Sequence, residues 1–387
     1  MTTDTVGGVW QYSLALVRGL VEQFGCQVLL FCFGNPAEQD LKDAQLSNKI
    51  EIESRTLKLE WMSDSANDVR KGLDYIGLLA ERWMPDLVHG NQFCMGLLAS
   101  SVPKLVVAHS DVLSWMAWHL GQPRGTLSGV ALDLHLKDYR DLVSAGLKCA
   151  SILAAPSRFM ADSLLQIYGC RSTVIYNGVW ADQYPLHNSK EDTAIVAGRL
   201  WDKAKGATLA IEATAGLPIT LKLAGSTVGP CGETIDLPPA AHTAYLGALS
   251  WRDLREALSR SKLYIAASSY EPFGLAALEA AFCGCALVAS NIPSYREIWG
   301  DSAVYFAAGS RVDLRSRIGR LLESPGEIEK LAAAARARAV ERYTAAEMSR
   351  RYFDLYRTMI GRDSRTSHFH YFQSSCTSKL EKSGAEI

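Results

Sequence analysis

Short apolar runs alternate with amphipathic stretches along almost the whole chain. A first series of runs comprises Val28 to Phe33, Leu87 to His89, Leu105 to Ala108, Ile152 to Ala155 and Thr173 to Tyr176. A second comprises Ala194 to Ala197, Ile219 to Ala224, Leu263 to Ala267, Ala286 to Ser290 and Val304 to Phe306. Runs this short, apolar on both faces, suit parallel strands covered by helices. Stretches with helical spacing lie between them, among them Trp10 to Phe24, Arg252 to Arg260 and Leu275 to Phe282. The pattern predicts an α/β protein of two Rossmann-like domains whose parallel sheets face each other across a cleft. Ligands of such sheets bind beyond the carboxyl ends of the strands, which makes the cleft the expected site.

The polar, aperiodic segment Pro185 to Asp192 predicts the break, giving an N-terminal domain 1–187 and a C-terminal domain 188–345. Ala332 to Ile360 is Ala/Arg-rich and reads as helix, with 346–360 as its final part. From Gly361 the chain turns to Ser, Thr, His, Lys and Glu, so 361–387 is expected to be a disordered tail. At the other end, the polar stub Met1 to Thr5 precedes Val6-Gly7-Gly8-Val9. A central strand usually runs about five or six residues, so the first strand is expected to be truncated.

Composition narrows the classes. The length of 387 residues favours two cores over one. Forty basic and forty-one acidic side chains leave a net charge of −1, which argues against nucleic acid as a partner. No apolar run approaches a membrane span and no secretory signal is evident, so the expected location is the cytoplasm, with the inner face of a membrane as the alternative. Nine scattered cysteines form no Cys-x-x-Cys pair and read as reduced, mostly buried thiols. Metal-ligand spacing, Gly-x-Ser-x-Gly, His-Glu-x-x-His and the phosphate-binding P-loop are all missing from the sequence.

Candidate chemistry gathers at βα junctions. Glu271-Pro272-Phe273-Gly274-Leu275-Ala276-Ala277-Leu278-Glu279 reads as a loop leading into a helix, with one carboxylate on each. The helix start offers N–H groups to phosphate and the carboxylates can accept from sugar hydroxyls; the plainer reading is a capping Glu271 and a polar helix position at Glu279. Arg199 ends a predicted strand and Lys205-Gly206 follows. That pair could grip a diphosphate or be two solvated loop cations, with Lys203 a competitor. Gly7-Gly8 is either a ligand loop or a tight turn. His109, at the end of Leu105 to Ala108, suits proton exchange or a sugar hydroxyl, or is structural. His89 reads as structural, and Glu297 as structural with a helix-terminus role. The aromatic segment Trp115-Met116-Ala117-Trp118-His119 reads as an exposed loop lining an acceptor site or as a buried cluster.

Taken together, the segments resemble retaining glycosyltransferases of family 4 with the GT-B fold. The most specific match is Glu271-Pro272-Phe273-Gly274-Leu275 with Leu278-Glu279-Ala280, supported by Tyr245-Leu246-Gly247, Arg252-Asp253-Leu254, Gly284 and Pro293 to Glu297. Gly198-Arg199-Leu200 with Lys205-Gly206, and Tyr176-Asn177-Gly178-Val179, match further segments in order. The resemblance implies a hexosyltransferase that moves a sugar from a nucleoside-diphosphate-sugar substrate to a hydroxyl of a saccharide, lipid or small molecule. It implies retention of configuration, no cofactor and no metal. By it, Arg199 and Lys205 hold the diphosphate, Glu279 the ribose, and Glu271 the transferred sugar. Gly7, Gly8, Phe273, Gly274 and Leu275 lie against the donor, and His109 touches the sugar or assists at the reaction centre. The C-terminal helix would cross back onto the N-terminal domain. Two other functions fit the same frame: an inactive nucleotide-sugar-binding protein, favoured by the short first strand, and a GT-B nucleotide-sugar epimerase.

Overall fold

The computed structural model describes residues 1–38, 41, 47–119, 134–187 and 189–363. The predicted tail falls almost wholly outside them, as does Cys376. The N-terminal half carries β1 (Thr2–Asp4), α1 (Val9–Phe24), β2 (Val28–Phe33), β3 (Ile50–Arg55), α2 (Ala66–Trp83), β4 (Val88–Gly90), β5 (Lys104–Val107), α3 (Val112–His119), α4 (Leu134–Cys149), β6 (Ile152–Ala155), α5 (Arg158–Tyr168) and β7 (Thr173–Val174). The C-terminal half carries β8 (Glu191–Ala197), α6 (Ala207–Thr214), β9 (Thr220–Ala224), β10 (Thr243–Gly247), α7 (Trp251–Arg260), β11 (Ser261–Ala266), α8 (Leu275–Phe282), β12 (Ala286–Ser290), α9 (Pro293–Trp299), β13 (Val304–Phe306), α10 (Arg311–Leu322) and α11 (Pro325–Arg342). The chain ends its described course in α12 (Ala345–Asp363).

Every described strand pair is parallel, as the doubly apolar runs require. The C-terminal sheet has the order β10-β9-β8-β11-β12-β13. The N-terminal strands form β1-β2-β3 and β4-β5-β6-β7. Side chains stitch β1 to the residue after β4: Asn91 N–H donates to Thr2 Oγ1 at 2.9 Å and Asn91 Nδ2 to the Thr2 carbonyl at 2.7 Å. That seam is the switch point of the sheet, where ligands of such folds bind. The polar stub is therefore a strand of three residues, all buried, pairing Thr2 with Phe31 and Asp4 with Phe33.

Two chain crossings join the halves. Gly178 and Val179 lie against Tyr343 to Ala345, with Val179 N–H donating to the Tyr343 carbonyl at 3.2 Å and Ala345 N–H returning to Val179 at 2.9 Å. A β-carbon on Gly178 would stand 2.3 Å from the Thr344 carbonyl oxygen, so only glycine permits this approach. The crossing divides the helical stretch Ala332 to Ile360 close to the expected start of the C-terminal helix at 346. The helix stops at Arg342, because the next residues pair with Val179, and restarts at Ala345. Thr344 Oγ1 accepts the Glu347 N–H at 3.3 Å, fitting a capping start. α12 then packs on α1, the return onto the N-terminal half that the resemblance implies. Ser349 sits over Gly19, Phe353 stacks on Phe24 at 4.1 Å, and Tyr352 and Tyr356 are buried.

Candidate active site

The carboxyl ends of β1, β8 and β11 converge at the cleft. Gly7 and Gly8 open α1, Arg199 follows β8, and Glu271 follows β11. A β-carbon on Gly7 would stand 3.6 Å from Arg199 Cδ, and one on Gly8 2.9 Å from Leu275 Cδ1. Thus α1 and α8 bring their N-termini together from opposite domains. Neither is capped by a side chain, since Gly8 and Gly274 occupy the cap positions. Helix ends of this kind present N–H groups and partial positive charge to an anion. Phe273 is buried beside them.

Lys205 Nζ donates to Glu271 Oε2 at 2.5 Å, and both side chains are mostly buried. Lys203 is exposed, and Lys205 is the lysine directed at Glu271. Arg199 is held by Asp202, whose Oδ2 accepts from its Nη2 at 3.2 Å. Glu279 is buried and accepts the Tyr184 hydroxyl at 3.0 Å. Burial raises its carboxyl above the usual range, and nearby Arg255 and Tyr184 pull it back. The two glutamates of the loop-helix segment therefore differ: one is ion-paired at the cleft, the other sits in a buried polar pocket.

His109 Nε2 lies 2.9 Å from Asn91 Oδ1, and its ring meets Tyr12 edge-on at 4.4 Å. Burial pushes its pKa down to about 3, so the imidazole is neutral near pH 7. His89 is fully buried, as its structural reading requires.

Residues the sequence did not single out complete the arrangement. Asp4 ends β1, accepting from Val6 N–H at 2.9 Å and Gln92 Nε2 at 3.1 Å. Burial pushes its carboxyl up to about 6, against the pull of those bonds and of Arg199. An acid at the end of the stub, ahead of Gly7-Gly8, was the available signal. Asp202, Asn91, Tyr184 and Arg255 carried none, being lone polar residues brought in by the fold.

The aromatic segment is not an exposed loop. It forms α3, whose Trp115 and Trp118 pack with Phe159, Ala204 and Tyr270 between the domains. Trp115 Nε1 donates to Asp202 Oδ1 at 3.2 Å, and His119 Nδ1 lies 3.0 Å from Ser269 Oγ. Glu297 caps a helix of the other domain, accepting from Arg158 and Phe159 N–H at 2.7 and 3.0 Å. Among the described residues no three His, Cys, Asp or Glu side chains gather in a metal-holding group, and no helix is long and apolar enough to cross a membrane.

The fold is the GT-B fold. Residues 6–183 match Glycosyltransferase Family 4 and residues 181–338 match Glycosyl transferases group 1, and the chain belongs to this family. It is 29% identical over 297 residues to a glycogen synthase of Mycobacterium tuberculosis, covering 70% of this chain and 68% of that one. It is 31% identical over 112 residues to an alpha-maltose-1-phosphate synthase of the same species, covering 27% and 29%. Among solved structures, Anabaena HepE in complex with UDP-glucose superimposes with a TM-score of 0.70 at 17% identity, covering 92% of this chain and 99% of that one. Sucrose-phosphate synthase of Thermosynechococcus elongatus gives 0.70 at 16% identity, covering 91% and 92%.

Proposed function

We propose that this glycosyltransferase moves a hexosyl group from a nucleoside-diphosphate sugar to an acceptor hydroxyl, with retention and without a metal. The observation that carries the reading is the meeting of two uncapped helix N-termini with Arg199 and, through Glu271, Lys205. These groups can hold a diphosphate and stabilise the charge that builds on it as it leaves. Glu279, buried beside Tyr184, suits ribose hydroxyls, and Glu271 suits the hydroxyls of the sugar. Likeness to a glycogen synthase and to the HepE complex with UDP-glucose supports a nucleotide sugar as donor.

In the proposed step the C1–O bond breaks, with its electron pair going to the departing diphosphate oxygen. The acceptor oxygen bonds C1 from the same face, and its proton passes to the departing phosphate. Arg199 and Lys205 take the place a metal fills elsewhere. The inactive-binding alternative leaned on a truncated first strand, and β1, though only three residues long, is paired and buried.

A thermal-shift panel of nucleotide sugars tests donor binding, since a ligand bound only to the folded state raises its melting temperature. Product from the best donor should keep its anomeric configuration by NMR and form undiminished in EDTA. Inverted product or loss of turnover in EDTA overturns the corresponding part of the reading.

A further inference from the structure

Asn91 follows β4 and is buried at the seam between the N-terminal sheets. Its amide can be oriented without ambiguity. One terminal atom lies 2.7 Å from the Thr2 carbonyl oxygen and 3.1 Å from Ser13 Oγ. A carbonyl oxygen only accepts, so the atom facing it is the NH2 group. The amide oxygen therefore faces the other way, toward two imidazoles: His109 Nε2 at 2.9 Å and His89 Nε2 at 3.1 Å.

An amide oxygen also only accepts, so both Nε2 atoms carry hydrogen. In a neutral ring each Nδ1 then bears a lone pair. For His89 the consequence is visible: its Nδ1 lies 2.6 Å from the Tyr356 hydroxyl, which donates to it from α12. The Tyr12 hydroxyl, 3.4 Å from His89 Nε2, lies on the N–H side of the same ring. For His109 the lone pair on Nδ1 has no protein partner among the described residues. Burial keeps both rings from protonating near pH 7.

We propose that Asn91, oriented by the Thr2 carbonyl, fixes His109 as the Nε2–H tautomer, so that His109 reads a substrate hydroxyl as a hydrogen-bond acceptor through Nδ1. The proposal rests on the reading of the cleft as a sugar-transfer site. Asn91 is a positioning residue, and His109 is the group that touches substrate. In this form His109 is unsuited to act as a general acid, and it selects for an O–H over an ether or a fluorine. The strand that carries Thr2 and the helix that carries Tyr356 thus bear on the chemistry of the cleft without lining it.

Two measurements test this. The first is a long-range ¹H–¹⁵N spectrum of the histidine side chains in the full ligand-free chain, with His109 assigned by loss of its signals in His109→Gln. The expected pattern for His109 is a protonated Nε2 and a bare Nδ1, unchanged between pH 8 and pH 5, and retained in Ser13→Ala, where the Thr2 carbonyl still orients Asn91. A protonated Nδ1 overturns the proposal. The second uses UDP-glucose and analogues in which each sugar hydroxyl is replaced by hydrogen or by fluorine. At one position both replacements should lower kcat/KM about tenfold and equally, about 1.4 kcal/mol, and the penalty should vanish in His109→Ala. If fluorine restores what hydrogen loses, His109 is a donor and the proposal fails. If UDP-glucose does not bind at all, that donor assignment fails while the spectrum still decides the tautomer.

Discussion

Lys205 Nζ reaches Glu271 Oε2 across 2.5 Å, and the two side chains retain 17% and 16% exposure. Too buried to be an indifferent surface pair, they form a unit whose members leave an unmatched charge when separated. Lys205→Met and Glu271→Gln should each lower stability by about 1–3 kcal/mol. The double variant should cost less than the sum, because it leaves no charge stranded. Each single change should lower kcat/KM at least about 100-fold, as expected for groups that meet developing charge. Denaturant melts and turnover read the two effects separately. Strict additivity in the melts would mean that the contact does not hold in solution.

Trp115 connects the N-terminal domain to the arginine of the proposed donor site. Its Nε1–H donates to Asp202, whose other oxygen holds Arg199 at 3.2 Å. Through that contact Trp115 is expected to act on the proposed donor site. Trp115→Phe keeps the ring in its cluster and removes one hydrogen bond, about 1 kcal/mol. Donor KM should rise about three- to tenfold, with acceptor KM little changed. A change confined to acceptor KM would restore the acceptor-platform reading.

The sequence disclosed what burial writes into it. Strands such as β2 and β12, covered on both faces, are unbroken apolar runs, and the loop-helix carrying Glu271 and Glu279 was legible from spacing alone. β3 escaped because Glu51 and Glu53 interrupt it at the sheet edge, and β10 because it too borders solvent. β1 looked like a stub because its residues are polar, yet they are buried through backbone pairing and the Thr2–Asn91 bonds. Asn91 gains its meaning from Thr2, Ser13 and His109, and Asp202 from Trp115 as well as the nearby Arg199, and such distant contacts local pattern cannot supply.

Glu297 stands in one domain and caps a helix in the other. Its carboxylate takes the Arg158 and Phe159 N–H groups, while Ser157 Oγ accepts the Met160 N–H at 3.1 Å and donates to the Pro272 carbonyl at 2.5 Å. A charged acceptor at a helix N-terminus is worth about 1–2 kcal/mol. Glu297→Ala should therefore speed hydrogen exchange at Arg158 and Phe159 roughly tenfold or more, whereas Glu297→Gln, which keeps one acceptor oxygen, should do so less. Unaltered exchange at both amides in Glu297→Ala would falsify a standing interdomain cap.

Two neutral histidines, His89 buried and His109 partly buried, make stability depend on pH with a definite sign. His109 has a folded pKa of about 3, and His89 lies well below its ordinary value, with Met1, Tyr12, Tyr352, Tyr356, Asn91 and His109 around it. Unfolded histidine titrates near 6.5. Between these values the unfolded chain binds more protons, so the stabilising term is complete above about pH 6.5 and is lost as pH falls. Asp4 runs the other way. Its folded pKa of about 6 exceeds the unfolded value, so its term is present at low pH and lost as pH rises through about 6. The stability gap between the wild type and His109→Gln should therefore narrow by about 1 kcal/mol or more from pH 7 to pH 4.5. Asp4→Asn should instead gain on the wild type as pH rises from 4 to 7. Denaturant titrations across that range read both slopes, and a gap for His109→Gln that stays constant with pH would show that His109 titrates alike folded and unfolded.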